Sequence, residues 1–451
     1  MSKNNMNQAK VRPYAVMCTD LYLLWVLTVY PLYYADGYFH LPEKKAAFWC
    51  VSTLIYLGIT LFGVIVTVFS NREQRSLENI KKNISKTDLF MFGFLMSNLI
   101  AFALSENKVN AWTGASSRYY GAKVLLLVCL VYFFISRYAW MNKVFVWGFL
   151  IAGNGVCLLA TLDYFWFDVL GINQQMIEAD WYLFISTIGN ANTCASFCCM
   201  AIAISIVYYC LSDNLIDKVI AGISILNCCT TLVTARSDSA SVGVAGVCVV
   251  LVLMMINKTL KWRNVLQAFL ILAIGLLAFA RIREYFAPEI QAHRWYDSGI
   301  PRAIWYYWTI WCIIIIFLVV LYIVLYAMEK KQLNVTKAQR RTVGIIGGIL
   351  ALMLVGFIGN KIHAVQLFKD SMGNGNMHVA GNRIYTYGKV IQAFQKEPFI
   401  NKLFGNGQAS LTSVLNSYFG DELLKLGISI NSAHNHVLDY LIIGGVFGEL
   451  C

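Results

Sequence analysis

The sequence predicts an all-α, polytopic transmembrane helical bundle. Three observations predict it. Hydrophobic residues make up 58% of the chain and charged residues only 13%, against about 25% charged in soluble domains. Apolar runs of roughly 18–24 residues recur from one end of the 451-residue chain to the other, each long enough to cross a ~30 Å hydrocarbon core. Lys and Arg gather in alternate loops between those runs. The mean hydropathy of +0.60 agrees.

Taken in order, the apolar runs place spans at roughly 14–35, 47–70, 88–105, 120–140, 144–163, 192–211, 216–235, 238–256, 264–280, 303–327, 342–360 and 434–451. That is about twelve crossings. The N-terminal stretch MSKNNMNQAKVR is polar and basic. The first apolar run lacks a small-residue cleavage site, so it reads as a retained helix and not a removed signal peptide. With the N-terminus inside, the inner loops are NREQRSLENIKKNISK (71–86), NKTLKWRN (257–264) and EKKQLNVTKAQRRT (329–342). All are rich in Lys and Arg, as the positive-inside rule requires. The loop at 164–190 falls outside and carries Asp168, Glu178 and Asp180 with no Lys or Arg. This asymmetry explains most of the +12 net charge. Nucleic-acid binding needs a basic surface with aromatic or groove-reading elements, and these short loops offer none.

One segment breaks the rhythm. Residues 361–433 form a polar outer loop, where connections beyond about 12–15 residues are uncommon and often functional. Within it, Val390, Ile391, Phe394 and Phe399 are expected to form one face of a short surface helix. The cysteines mostly lie inside apolar runs: Cys129, Cys157, Cys194, Cys198, Cys199, Cys228, Cys229 and Cys248. With no CxxC pair in a polar loop, they read as small buried hydrophobes, and neither a zinc site nor a disulfide framework is expected.

Charge at membrane depth is costly and usually faces a cavity or pathway. TARSDSASVG (234–243) holds Arg236 and Asp238 in a turn too short to reach far into water. ARIREYF (280–286) carries Arg281 and Arg283 where a helix leaves the outer face. SAHNHVLDYLIIGG (432–445) sets His434, Asn435 and His436 at the outer mouth of the last span. Each has a plain structural reading: Arg236 paired with Asp238 at a turn, Arg281 and Arg283 snorkelling to the interface, His434 capping a helix. Arg383, in the outer loop, is on its own a solvated charge. Under the topology above, all of them open on one side. Guanidiniums hold phosphate bidentately, and an imidazole can take a proton near neutral pH. Their convergence therefore suits a polyanionic substrate and a general base.

These stretches resemble the O-antigen ligase and O-antigen polymerase superfamily of bacterial envelope glycan enzymes. GNANTCASF (189–197) resembles its Gly-Asn-x-Asn-x-x-Ala signature, TARSDSASVGV (234–244) its Ser-Arg turn, and HNHVLDYLIIGGVFG (434–448) its His-Asn-x-x-Leu-x-x-Leu stretch ending in glycines. Arg383 and FGNGQAS (404–410) resemble the Arg and Gly-x-Gly of the family's outer loop. The match divides the chain into N-terminal transmembrane helices (1–185) and a ligase-like region (186–451) that includes the outer loop. Ala235 stands where the family often has Ser, and Ile443 where many members are acidic. Members usually continue beyond the position of Cys451. From His434 the chain rises only about 27 Å at ~1.5 Å per residue, so a truncated chain is expected, whose activity truncation would leave open.

The resemblance implies a metal-independent, GT-C-like glycosyltransferase without a cofactor in a bacterial cytoplasmic (inner) membrane, its active site on the outer face. The donor would be a glycan on undecaprenyl diphosphate, and the acceptor a sugar hydroxyl on lipid A-core or on another lipid-linked repeat. His434 would act as general base. Arg236 and Arg383 would hold the diphosphate with Arg281 or Arg283 as helpers, and Asn435 would orient the base or cap the helix. Ligase and polymerase stay open alternatives. The rival is a transporter or flippase of lipid-linked saccharide, which is expected to show inverted repeats and broken helices; the sequence displays neither.

Overall fold

The computed structural model describes residues 13–70, 84–115, 118–140, 142–172, 176–177, 185–235, 237–257, 259–286, 308–330 and 383–451. Among them the regular elements are all helices. They run α1 (Pro13–Leu32), α2 (Gly37–Ser70), α3 (Lys86–Leu104), α4 (Lys108–Thr113), α5 (Ala122–Tyr138), α6 (Lys143–Tyr164), α7 (Ala191–Leu211) and α8 (Leu215–Thr234). They continue with α9 (Asp238–Ile256), α10 (Trp262–Tyr285), α11 (Trp308–Lys330), α12 (Arg383–Lys396), α13 (Phe399–Phe404), α14 (Leu411–Lys425), α15 (His436–Ile443) and α16 (Gly445–Leu450). Seven described helices are long and apolar enough to cross a membrane: α1, α2, α3, α6, α7, α8 and α10. The chain is therefore helical and of multi-pass membrane type. The span expected at 342–360 lies outside the described residues.

Two spans differ from expectation for identifiable reasons. Helix α2 begins at Gly37, ten residues before the expected 47, although Pro42, Glu43, Lys44 and Lys45 interrupt its apolar pattern. Lys45 explains the early start. Its ammonium donates to the Tyr30 and Pro31 carbonyls at 2.9 and 3.1 Å, so a buried cation satisfies the carbonyl end of α1. The expected continuous span 434–451 is broken. Helix α15 ends at Ile443, and α16 starts afresh at Gly445, which takes a left-handed φ of 66°.

The chain divides into two compact units that interleave in sequence. The first comprises 1–22, 46–140 and 357–451, and the second 23–45 and 141–356. The motif-based boundary near 185 therefore falls within the second unit.

In the second unit, α6, α7, α8 and α10 pack around Cys157, Cys194, Cys198, Cys228, Cys229, Ala201 and Ala268, all nearly fully buried. Small side chains let helices approach closely where lipid removes the usual hydrophobic drive. Cys129 is likewise buried in the first unit, whereas Cys199 and Cys248 are partly exposed. Polar stitches fix the helix register. Asn227 Nδ2 donates to Asn154 Oδ1 at 2.8 Å, Thr231 Oγ1 to the Cys157 carbonyl at 2.9 Å, and Trp147 Nε1 to Asp217 Oδ1 at 2.9 Å. Such interhelical bonds average about 0.6 kcal/mol each in membranes.

In the first unit, Ser85 and Asp88 form a reciprocal capping box at the start of α3. Arg137 of α5 clamps the same Asp88 through two bonds of 3.0 and 3.3 Å. Thr19 and Tyr56 are 3.0 Å apart, Tyr22 and Thr53 2.8 Å, and the two tyrosine rings stack at 4.1 Å. Of the outer loop expected at 361–433 with short helices, the described part, 383–433, contains α12, α13 and α14. Val390 and Ala393 of α12 are buried with Leu411, Val414, Leu415 and Leu423 of α14 and Ile442 of α15, and Phe394 packs against them. The expected face is corrected at two positions. Ile391 turns outward at 45% exposure, and Phe399 lies beyond Pro398 on α13 at 76% exposure, because the proline ends the α12 register.

Candidate functional site

The first unit presents the His434 motif on a built scaffold. Asn435 has extended backbone, and its Oδ1 accepts from the Val437 and Leu438 amides at 3.1 and 3.4 Å. It is thus the N-cap of α15, the capping role expected of it. His434 precedes the cap in a left-handed conformation, φ 53°, with its side chain exposed. Its amide donates to Ser432 Oγ at 3.0 Å. Ser432 Oγ donates to Asp439 Oδ2 at 2.8 Å, and the Ala433 amide to Asp439 Oδ1 at 2.7 Å. His436 is the first residue of α15, and its ring lies flat on Tyr440 at 5.5 Å with a 10° interplanar angle.

The FGNGQAS loop docks on the break that follows. The Asn406 and Gly407 amides donate to the Ile442 and Ile443 carbonyls at 2.9 and 3.0 Å. Two carbonyls freed where α15 ends are thereby satisfied. Gly405 and Gly445 carry positive φ, and a Cβ on either would sit on opposing backbone, Ile443 for Gly405 and Leu403 for Gly445. Below the break is a buried polar knot: Tyr440 OH donates to Asn98 Oδ1 at 2.6 Å, and Gln408 Nε2 donates to the same oxygen at 3.0 Å. The Tyr440 ring also stacks on Phe94 at 5.8 Å. Two motifs separated in sequence are thus one docked structure anchored on α3. Arg383 is the first residue of α12, and α12 packs against α15.

The second unit joins the other two motifs. Asn190 caps α7 through a bond from the Asn192 amide at 2.8 Å, and Ser237 Oγ donates to Asn192 Oδ1 at 2.6 Å. Ser237, the N-cap of α9, is thereby tied to the start of α7. Arg236 itself lies outside the described residues, as does its expected pairing with Asp238. Of the two α10 arginines, Arg281 meets Glu284 one turn on at 2.7 Å, and Arg283 Nε donates to Tyr164 OH at 3.1 Å. The Tyr164 ring packs edge-on against Phe165 and tilted against Phe279, so an aromatic cluster holds that phenol in place.

Asp439, Ser432, Gln408, Asn98 and Tyr440 were not among the expected site residues. Asp439 carried a readable signal, being an acidic residue inside a run assigned to the membrane. Asn98, Gln408 and Tyr440 carried none, because they join across 310 and 342 positions, and Ser432 is an ordinary loop serine until its bonds to Asp439 and His434 are seen.

Helix α12 is held to α14 by a charged link. Lys389 donates to Glu422 Oε2 at 2.7 Å and Tyr385 OH to Oε1 at 2.8 Å. Hydrogen bonds from Lys389 and then Tyr385 hold the Glu422 carboxyl below its ordinary value, while burial first and Glu422 second push the Tyr385 phenol up. A lowered carboxyl stabilises the fold above its unfolded value of about 4.3, and the contribution is lost as pH falls through the lower folded value. Amide protection of α12 and α14 is therefore expected to fall on acidification, and Glu422→Gln to blunt that response. An unchanged acid response in the Gln variant would assign it to another group.

No family model, no curated protein and no solved structure matches the chain.

Proposed function

We propose that the chain is a membrane glycosyltransferase of O-antigen ligase or polymerase type. It would move an oligo- or polysaccharide from undecaprenyl diphosphate to a sugar hydroxyl without a metal or other cofactor. The observation that carries this reading is the docked pair of motifs in the first unit. There an exposed imidazole stands in a left-handed turn at the mouth of a capped helix, braced by a Gly-Asn-Gly loop. A purely structural cap needs only Asn435; it does not need a histidine held outward before the cap.

In this reading about twelve spans cross a bacterial cytoplasmic membrane, with the N-terminus inside and the motifs at the outer face. His434 takes the acceptor proton as the oxygen attacks the anomeric carbon opposite the diphosphate. Such general-base action is typically worth about 10²–10⁴-fold. Arg236 and Arg383 hold the leaving diphosphate, where charge develops and fixed donors act most strongly. Arg281 or Arg283 is the helper; Arg283 Nε donates to Tyr164 OH and Arg281 meets Glu284.

One observation favours the second reading, a flippase. The break at Gly444–Gly445 is the kind of interruption that transporters use to line a substrate path. Reconstitution in liposomes with an undecaprenyl-diphosphate-linked oligosaccharide, with either lipid A-core or a second lipid-linked repeat as acceptor, separates the two. A new glycosidic bond supports the transferase, and its acceptor distinguishes ligase from polymerase. Movement of donor across the bilayer with no new bond supports the flippase. In the same assay Arg236→Lys keeps the charge and loses the bidentate fork, so transfer is expected to fall about 10²-fold at unchanged protein level. Wild-type turnover in that variant would reduce Arg236 to a turn residue.

A further inference from the structure

We infer that Asp439 and Ser432 are positioning residues that fix His434 for proton transfer, an inference that rests on the transferase reading above. A non-glycine residue at positive φ costs free energy and persists only where its surroundings impose it. Here the imposing groups can be named. Asp439 sits one turn into α15, yet both its carboxylate oxygens reach back past the N-cap to Ser432 Oγ and the Ala433 amide at 2.8 and 2.7 Å. Ser432 passes the constraint on by accepting from the His434 amide at 3.0 Å. On the other side of His434, Asn435 is locked as the cap of the same helix. The histidine backbone is therefore held between two anchors on one rigid element.

The burial pattern fits a presenting device. Ser432 and Ala433 are 5% and 0% exposed, whereas His434, the next residue, is exposed. The carboxylate also lies at the positive end of α15, where the helix dipole favours it. If Asp439 served only to stabilise the helix, its bonds would go to the first-turn amides. Asn435 already takes two of those amides, and Asp439 is spent entirely on the turn that carries His434.

The test uses the full chain in liposomes with Asp439→Asn, Ser432→Ala, Ser432→Thr and His434→Ala, read in two ways. Amide exchange across 431–435 is expected to speed up in Asp439→Asn and Ser432→Ala and to stay slow in Ser432→Thr, which keeps the hydroxyl. In transfer, kcat is expected to fall about 10²-fold, the cost of a reacting group misplaced by about 1 Å. KM for the lipid-linked donor should stay unchanged, and Ser432→Thr should restore most of the rate. Unchanged exchange in Asp439→Asn and Ser432→Ala overturns the clamp, whatever the activity. Faster exchange with wild-type kcat, while His434→Ala is dead, overturns the positioning role alone. Full activity in His434→Ala overturns the base assignment and with it the catalytic use of the clamp. Ser432→Ala, which removes a single oxygen, decides the question if Asp439→Asn fails to fold.

Discussion

His434→Ala is expected to abolish glycan transfer while donor binding persists, and His436→Ala to leave transfer within a few-fold of wild type. The two histidines are two residues apart and both exposed, but they differ in their place on the helix and in what their rings meet. His434 is outside the helix and exposed, and its amide is held by Ser432. His436 is inside the helix with its ring stacked on Tyr440, whose hydroxyl is bound to Asn98. Stacked aromatic pairs are worth about 0.5–1.5 kcal/mol, so His436→Ala should lower the thermal midpoint modestly and the rate little. Loss of a general base costs about 10²–10⁴-fold. Single-turnover transfer measured beside lipid-linked donor binding separates the outcomes. If His436→Ala kills transfer and His434→Ala does not, the motif register is wrong. If neither matters, the cluster is only a helix cap.

The part of this architecture that sequence made legible is the part that depends on local pattern. Apolar runs mark the membrane helices because length and composition alone decide whether a segment can cross. The run 238–256 coincides with α9 to the residue. The pattern misleads where a charge finds a partner that sequence does not display. Lys45 reads as a helix boundary and is instead buried inside α2, because the carbonyl end of α1 supplies its acceptors. The break in the last apolar run is hidden for a similar reason. Gly444–Gly445 inside a hydrophobic stretch is compatible with an unbroken membrane helix. Only the FGNGQAS loop, about forty residues earlier in the chain, supplies the amides that make interruption favourable. The Asn98–Gln408–Tyr440 knot joins residues 310 and 342 positions apart, a separation over which no periodicity carries information. Motif spacing singled out His434 and Asn435 and passed over Asp439, whose carboxylate reaches Ser432 and Ala433 in a way that the pattern does not display.

Gly405→Ala and Gly445→Ala are each expected to cost about 3 kcal/mol or more, placing them in the severe tail of point substitutions. Two penalties combine at each position. The φ values of 79° and 66° are left-handed, a strain of about 1–3 kcal/mol for most side chains. A methyl group would also strike opposing backbone, the Ile443 carbonyl for Gly405 and Leu403 for Gly445, and backbone cannot swing aside as a side chain can. Relief requires the loop to lift from the helix break, which would release the Ile442 and Ile443 carbonyls from the Asn406 and Gly407 amides. Gly388→Ala and Gly420→Ala are the matched controls. They lie inside α12 and α14, where among the described residues nothing beyond the chain neighbours and the helix's own backbone is within 4 Å of an added methyl, and replacing an interior helix glycine is expected to stabilise by about 0.5–1 kcal/mol. Thermal unfolding in detergent, with tryptic cleavage after Lys402 of α13 as the local probe, reads both predictions. Faster cleavage in Gly405→Ala and Gly445→Ala with slower or equal cleavage in the controls is the expected pattern. A Gly405→Ala protein that melts and resists trypsin like wild type would mean that the loop does not dock on the break as described. The His434 turn would then lose the brace beneath it, since α15 is bounded by Asn435 at one end and by this docked loop at the other.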